Sequence, residues 1–375
     1  MSSLPSLIAP FHAERPSPAS AAAILTALNL NTAASVHSDQ LPQLLHHWRS
    51  QDQLRCDDYL SYSIYRLNHG QQQQTGLVFA ASLTAYHTGR IRRHELTLAA
   101  GVAAHRAHLM AAQTQSNPTL LLHPPTASID LLLSTIADTT APSLDVMTAD
   151  RVRHQLWNVA DPMHIAQLTA AFNHLPYLMI ADGHHRTAAM AELIANDAAG
   201  ERRFLAVSFP AAQLRIHAVH RLLNGFNDMS NRFLLAQLRE LGQLTASAQP
   251  LQPRNTNELG VYLAQQWYRL ERPAVADSRE PLAAQWLQDT VLTPVFGIND
   301  PSHDSRLTYQ AGAAADLMAA VDSGAMRVAV TLHPPSVADV CALAKCGVTM
   351  PPKCTWFTLK PAAGFINLRL NDSFI

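Results

Sequence analysis

The sequence predicts a mixed α+β fold, and three observations carry that expectation. "YLSYSIYRL" (59–67) and "TGLVFAASL" (75–83) alternate in strand fashion around the polar "NHGQQQQ", the pattern of a hairpin. "YLMIADGHHRTAAM" (177–190) passes from an apolar strand through a glycine turn into a helix-forming run. The end of the chain alternates short strands and helices in "MRVAVTLH", "SVADVCALAKCG", "CTWFTLK" and "GFINLRL". No segment recurs at a fixed period.

Taken in order, residues 19–49 read as helices rich in alanine and leucine. After the hairpin, "GRIRRHELTLAAGVAAHRAHLMAAQ" is strand-like for a few residues and then helical from about Glu95, with Leu98, Val102, Leu109 and Met110 as its buried stripe. A strand at "TLLLHP" and a helix within 126–137 follow. Residues 161–174 form a helix with Asp161 as N-cap and Pro162 at its first position. A strand ends at Ala181, and a helix runs from Thr187 to about Ala199 with Gly200 as its stop and Met190, Leu193 and Ile194 inside. "RFLAVSFP" (203–210) is a strand, and 229–245, 256–271 and 280–290 read as helices. At 375 residues the chain is long for one domain, so it is divided into 1–225 and 226–375.

The formal net charge is −1 and 15% of residues are charged, which argues against a broad basic face for nucleic acid or anionic lipid. No nucleic-acid or membrane partner is expected, while an oligomer stays open. Cys56, Cys341, Cys346 and Cys354 show no C-x-x-C pair and read as free thiols rather than zinc ligands. The first residues lack a basic stretch followed by an apolar one, and no run of about 18 apolar residues occurs. A cytoplasmic location is the expectation.

Three stretches carry chemistry. In "ADGHHR" (181–186), a glycine turn opening a helix presents backbone N–H groups and the positive helix end. His184, His185 and Arg186 add donors suited to a phosphate, and Asp182 suits a ligand hydroxyl or Mg²⁺. No G-x-x-x-x-G-K-[ST], G-x-G-x-x-G or G-x-S-x-G motif occurs. In "GRIRRHELT" (89–97), Glu95 follows Arg90, Arg92, Arg93 and His94; a carboxylate among cations stays ionised and suits a base or a metal ligand, with helix capping as the bland alternative. "HELTL" falls short of H-E-x-x-H, and His94, His105 and His108 make a weak metal set. In "MPPKCTWFTLKP" (350–361), two prolines stiffen a turn carrying Lys353, which either reaches a phosphate or decorates the surface.

Together with "IAPF" (8–11), "YSIYRL…TGLV" (62–78), "HQLWNVAD" (154–161), "SFPAAQLRI" (208–216) and "DSRLTY" (304–309), these stretches resemble the family called domain of unknown function 1015 along essentially the whole chain. Its D-G-H-H-R box is similar to the nucleotide-binding box of the ParB and sulfiredoxin superfamily, which includes free serine kinases. The resemblance implies a ParB/sulfiredoxin-like core whose cleft the carboxy-terminal α/β portion completes. It also implies a phosphate role for Gly183, His184, His185 and Arg186. The chain departs from the family where "NLNTAASVHSD" (29–39) replaces a P-Y-D-V type stretch, and where His105 precedes Arg106 in place of an acid.

The resulting expectation is a nucleotide-dependent kinase acting on the hydroxyl of free serine or a similar metabolite. ATP or ADP is the expected nucleotide, with Mg²⁺ near Asp182. Glu95, His184 and His185 are the catalytic candidates; Asp182, Gly183, His184, His185, Arg186 and Lys353 are expected to hold the nucleotide, and Arg93 and His94 the substrate. The alternatives are a nucleotide-binding regulator without turnover and a phosphate-ester hydrolase.

Overall fold

Strands Tyr62–His69 and Gln72–Ser82 pair antiparallel with His69 opposite Gln72, so the turn is only Gly70 and Gln71. Gln72, Gln73 and Gln74, which read as loop, lie in the strand. Gln74 is fully buried and its side-chain amide makes two hydrogen bonds with the Leu359 backbone, at 2.8 and 2.9 Å. A partner far along the chain satisfies the polar group, which a local pattern does not reveal.

The computed structural model describes residues 6–29, 40–194, 202–226, 228–273 and 282–373. The divergent 30–39 stretch and the expected helix end at Ala199 and Gly200 lie outside them. The fold is α+β, in two compact units: Met1–Leu214 with Leu359–Ile375, and Arg215–Thr358. The chain thus leaves the first unit before residue 225 and returns to it at the end. The return has a physical basis: Leu368–Arg369 pairs with Thr114–Gln115, and Asn367 bridges Glu14. Glu14 is itself fully buried, and it accepts from Arg49 at 2.7 and 2.8 Å and from Arg369 Nε at 2.9 Å.

The sheet of the first unit runs in the order Ile91–Arg92, Leu178–Asp182, Thr119–His123, Arg203–Pro210, Gln72–Ser82, Tyr62–His69, Arg153–Val159 and Leu144–Met147, with Ile8–Ala9 also on Gln72–Ser82. It is mixed, because Leu178–Asp182 is parallel to Ile91–Arg92 and Thr119–His123 is parallel to Arg203–Pro210. Helices Ala127–Thr139 and Pro162–Asn173 bury Leu133, Leu168 and Phe172 in its core. Asp161 caps the latter by accepting from His164 N–H at 2.9 Å, as the D-P pair implies.

In the second unit an antiparallel sheet has the order Gln243–Ser247, Gln266–Glu271, Glu258–Leu263, Val328–Leu332, His220–Leu223 and Leu307–Gln310. Residues 256–271, expected to be helical, form a β-hairpin. Its turn residues Ala264 and Gln265 sit at φ 51° and 61°, with none of the glycine or asparagine that marks such a turn. Leu259, Val261 and Leu263 alternate into one core, while Tyr262 enters another. No helix among the described residues is long and apolar enough to cross a membrane. No disulfide joins the cysteines.

Candidate functional site

Parallel pairing decides what meets at one edge of the first unit. Leu178 and Met179 lie opposite Ile91 and Arg92 and run in the same direction, so both segments leave the sheet at the same end. His94 and Glu95 therefore emerge beside the turn formed by Asp182 and Gly183. Gly183 adopts φ 103°, a conformation that disfavours side chains, and the helix begins at once, at His184 rather than Thr187. His184, His185 and Arg186 form its first turn.

Asp182 is clasped by cations. Its Oδ2 accepts from Arg186 at 3.1 Å and its Oδ1 from Lys360 at 2.7 Å. Burial pushes this carboxyl up, but Arg186, Lys360 and His184 outweigh it and hold it well below the usual carboxylate range. Lys360, which no pattern singled out, comes from the same third stretch as Lys353. Its distance in sequence from the box hid it. Lys353 belongs to the second unit, at φ 55°.

Arg186 also donates to Pro118 O at 3.3 Å, while its Nε is buried without a hydrogen-bond partner. His185 holds the neighbouring helix Ala99–Ala112: its Nε2 accepts from Leu98 N–H at 3.0 Å, and its ring fills the space above Gly101. His184 is buried and meets the fully buried His94 edge to face, with ring centroids 4.5 Å apart and planes at 86°. Burial lowers His94 to about 4 against a backbone hydrogen bond to Ile180, and burial followed by His94 pushes His184 well below its ordinary value. Burial thus disfavours the charged form of both rings.

Glu95 is half-buried and lies four residues ahead of the helix, which starts at Ala99 with Leu98 as its N-cap residue. The helix thus begins later than expected, and Glu95 does not cap it. The flanking arginines have partners of their own. Arg90 donates to Asn173 O and Leu175 O at 3.1 Å, and Arg92 lies 4.8 Å from the Tyr177 ring centre. Arg93 is exposed. Met110, expected inside, is 56% exposed. One ligand atom each of His94, Glu95 and His184 lies within 4.8 Å of the others. Neighbours in sequence and partners across the sheet edge thus form a trio that spacing alone did not show.

Beside the turn is a cavity of 480 Å³ within the first unit. Arg186, His105 and His108 line it, with the polar run Thr114–Asn117 and the apolar Leu28, Leu41, Leu109 and Phe204. Burial, then Arg186 and His185, lower His105 to about 4, and burial lowers His108. The spacing of these histidines puts both on one helix face toward the cavity rather than in the trio with His94.

The fold and site define an α+β protein with a strand–glycine–helix turn whose arginine lines a cavity. The chain belongs to the family described as protein of unknown function (DUF1015), whose model matches residues 17–291. No curated protein matches the sequence. Among solved structures, it is similar to a conserved hypothetical protein from Pyrococcus furiosus, with 13% identity over 80% of this chain and 97% of that one and a TM-score of 0.43. It is also similar to a free serine kinase in complex with AMP, with 13% identity, 80% and 93% coverage and a TM-score of 0.44. SbnI with a C-terminal truncation from Staphylococcus aureus gives 12%, 78%, 88% and 0.42. Likenesses of this size leave function to be read from this chain's own residues.

Proposed function

We propose that the protein is a nucleotide-dependent phosphotransferase acting on the hydroxyl of a small metabolite such as free serine. The observation that carries this reading is Arg186, which stands in the first turn of a helix and lines a 480 Å³ cavity that is part apolar and part polar. Such a space takes a small organic ligand, and an arginine at a helix start favours its phosphate end. The likeness of the core to ParB and sulfiredoxin proteins is part of the same proposal.

In the transfer, a bond forms between the acceptor oxygen and phosphorus as the bond from phosphorus to the nucleotide's bridging oxygen breaks. Glu95 takes the acceptor proton, and the leaving nucleotide carries the electron pair of the broken bond. Arg186 and Lys360 exchange their bonds to Asp182 for phosphate oxygens. Asp182 is the carboxylate that would hold Mg²⁺ once those cations have moved, and the ion would supply charge neutralisation to the nucleotide phosphates. His184 and His185 shape the turn, and Arg93 and His94 flank the acceptor.

Incubation with ATP or ADP, Mg²⁺ and a panel of hydroxyl metabolites, followed by mass spectrometry, tests the reading. A phosphorylated metabolite supports it. Free phosphate alone replaces it with a hydrolase, and tight binding without product replaces it with a regulator. Lys353 lies beyond residues 17–291, which the family model matches, so its phosphate role rests on the resemblance of its own short segment alone. Lys353→Ala should weaken nucleotide binding by calorimetry, and unchanged affinity removes Lys353 from the assignment.

A further inference from the structure

We propose that His94, Glu95 and His184 form a binding site for a first-row divalent transition cation such as Zn²⁺, Co²⁺ or Mn²⁺. Two imidazoles and one carboxylate are the donor set such ions prefer, whereas Mg²⁺ favours oxygen ligands and bound water. Their donor atoms lie within 4.8 Å of one another. Ligands at about 2.1 Å from one ion lie roughly 3–3.5 Å apart, so binding the ion would draw these atoms together.

The surroundings support the assignment. His94 is fully buried and His184 is 6% exposed, so neither ring is a loose surface group. The His94 ring makes a hydrogen bond with the Ile180 backbone. An outer bond of that kind orients a metal-binding imidazole. Three protein donors leave an open position, the arrangement of sites that bind an exogenous ligand.

Asp182 does not join this set, since each of its oxygens already meets a cation. The inference stands on the geometry of the trio and not on phosphotransfer. A cation held here takes lone pairs of Glu95, so metal occupancy and base catalysis are alternative states of one carboxylate.

The test is a Co²⁺ titration of the purified full-length protein without nucleotide, followed by visible absorption. One Co²⁺ per chain is expected, with the bands of a four- or five-coordinate nitrogen and oxygen site, displaced by Zn²⁺ and not by Mg²⁺. Glu95→Gln keeps the shape of a half-buried side chain and should weaken Co²⁺ binding at least about tenfold, as loss of a ligand-shell group does. His184→Asn should weaken it further, and replacing His105 and His108 together should leave it unchanged. A wild-type protein that binds no Co²⁺, or a Glu95→Gln variant with wild-type affinity, overturns the proposal. If circular dichroism shows His184→Asn to be unfolded, Glu95→Gln decides alone. With no nucleotide present, failure of the phosphotransfer reading leaves this result intact.

Discussion

Arg186 makes contact with Asp182 and Pro118, yet its Nε is buried without a hydrogen-bond partner. A guanidinium in that state gains from an anion, because a bidentate phosphate satisfies two donors together. Arg186→Ala should therefore lower turnover by about 10²–10³, as loss of a positioned donor to developing charge does. Steady-state kinetics check this, and wild-type kcat and KM in the variant would remove Arg186 from the mechanism. Glu95→Gln separates shape from basicity. Transfer should fall by about 10²–10⁴ while calorimetric nucleotide affinity survives. Full activity in that variant would end the role of Glu95 as base. D-G-H-H-R was legible as a glycine turn opening a helix because glycine and clustered donors are local signals. The division of labour within it was not legible: His185 bonds the Leu98 backbone, His184 meets His94, and Arg186 lines the cavity.

Elements show where propensity and packing part. Gly101 lies inside the helix Ala99–Ala112, where replacement by alanine normally stabilises by about 1 kcal/mol. Here an added Cβ would stand 2.6 Å from His185 Cδ2, and the ring is tied to Leu98 N–H at 3.0 Å. Gly101→Ala should displace the ring, break that bond and lower the melting temperature. A rise would show that the ring yields at little cost. Packing also overrode pattern in residues 256–271, which read as a helix. The hairpin wins because alternate residues fill two different cores, and left-handed Ala264 and Gln265 make the turn. Strand 203–210 and the D-P capped helix were legible because their apolar run and cap are signals contained within the element itself.

At the scale of the molecule, buried neutral histidines set an acid limit. His123 is held by Ser208 at 2.8 Å and lowered by burial to about 3. His154 is held by Tyr65 at 2.6 Å and lowered by burial to about 4, with Asp150 opposing. Folded values below the ordinary 6.5 mean that the unfolded chain binds these protons first. Their stabilisation is complete above about pH 6.5 and is lost as pH falls toward 4 and 3, on the order of 3 kcal/mol apiece. Melting temperature against pH should drop steeply through that window, and a flat profile from pH 7 to 4.5 would contradict it. The sequence by itself determined the class of fold, most helices, the first hairpin and the strand–glycine–helix turn, since periodicity, caps and glycine turns act over a few residues. Only the tertiary structure decided which groups meet. Parallel pairing of Ile91–Arg92 with Leu178–Met179 brings His94 and Glu95 to His184, and the returning carboxy-terminal segment brings Lys360 to Asp182. Such contacts depend on strand order and chain return, which are settled by burial across the whole first unit and leave no local mark.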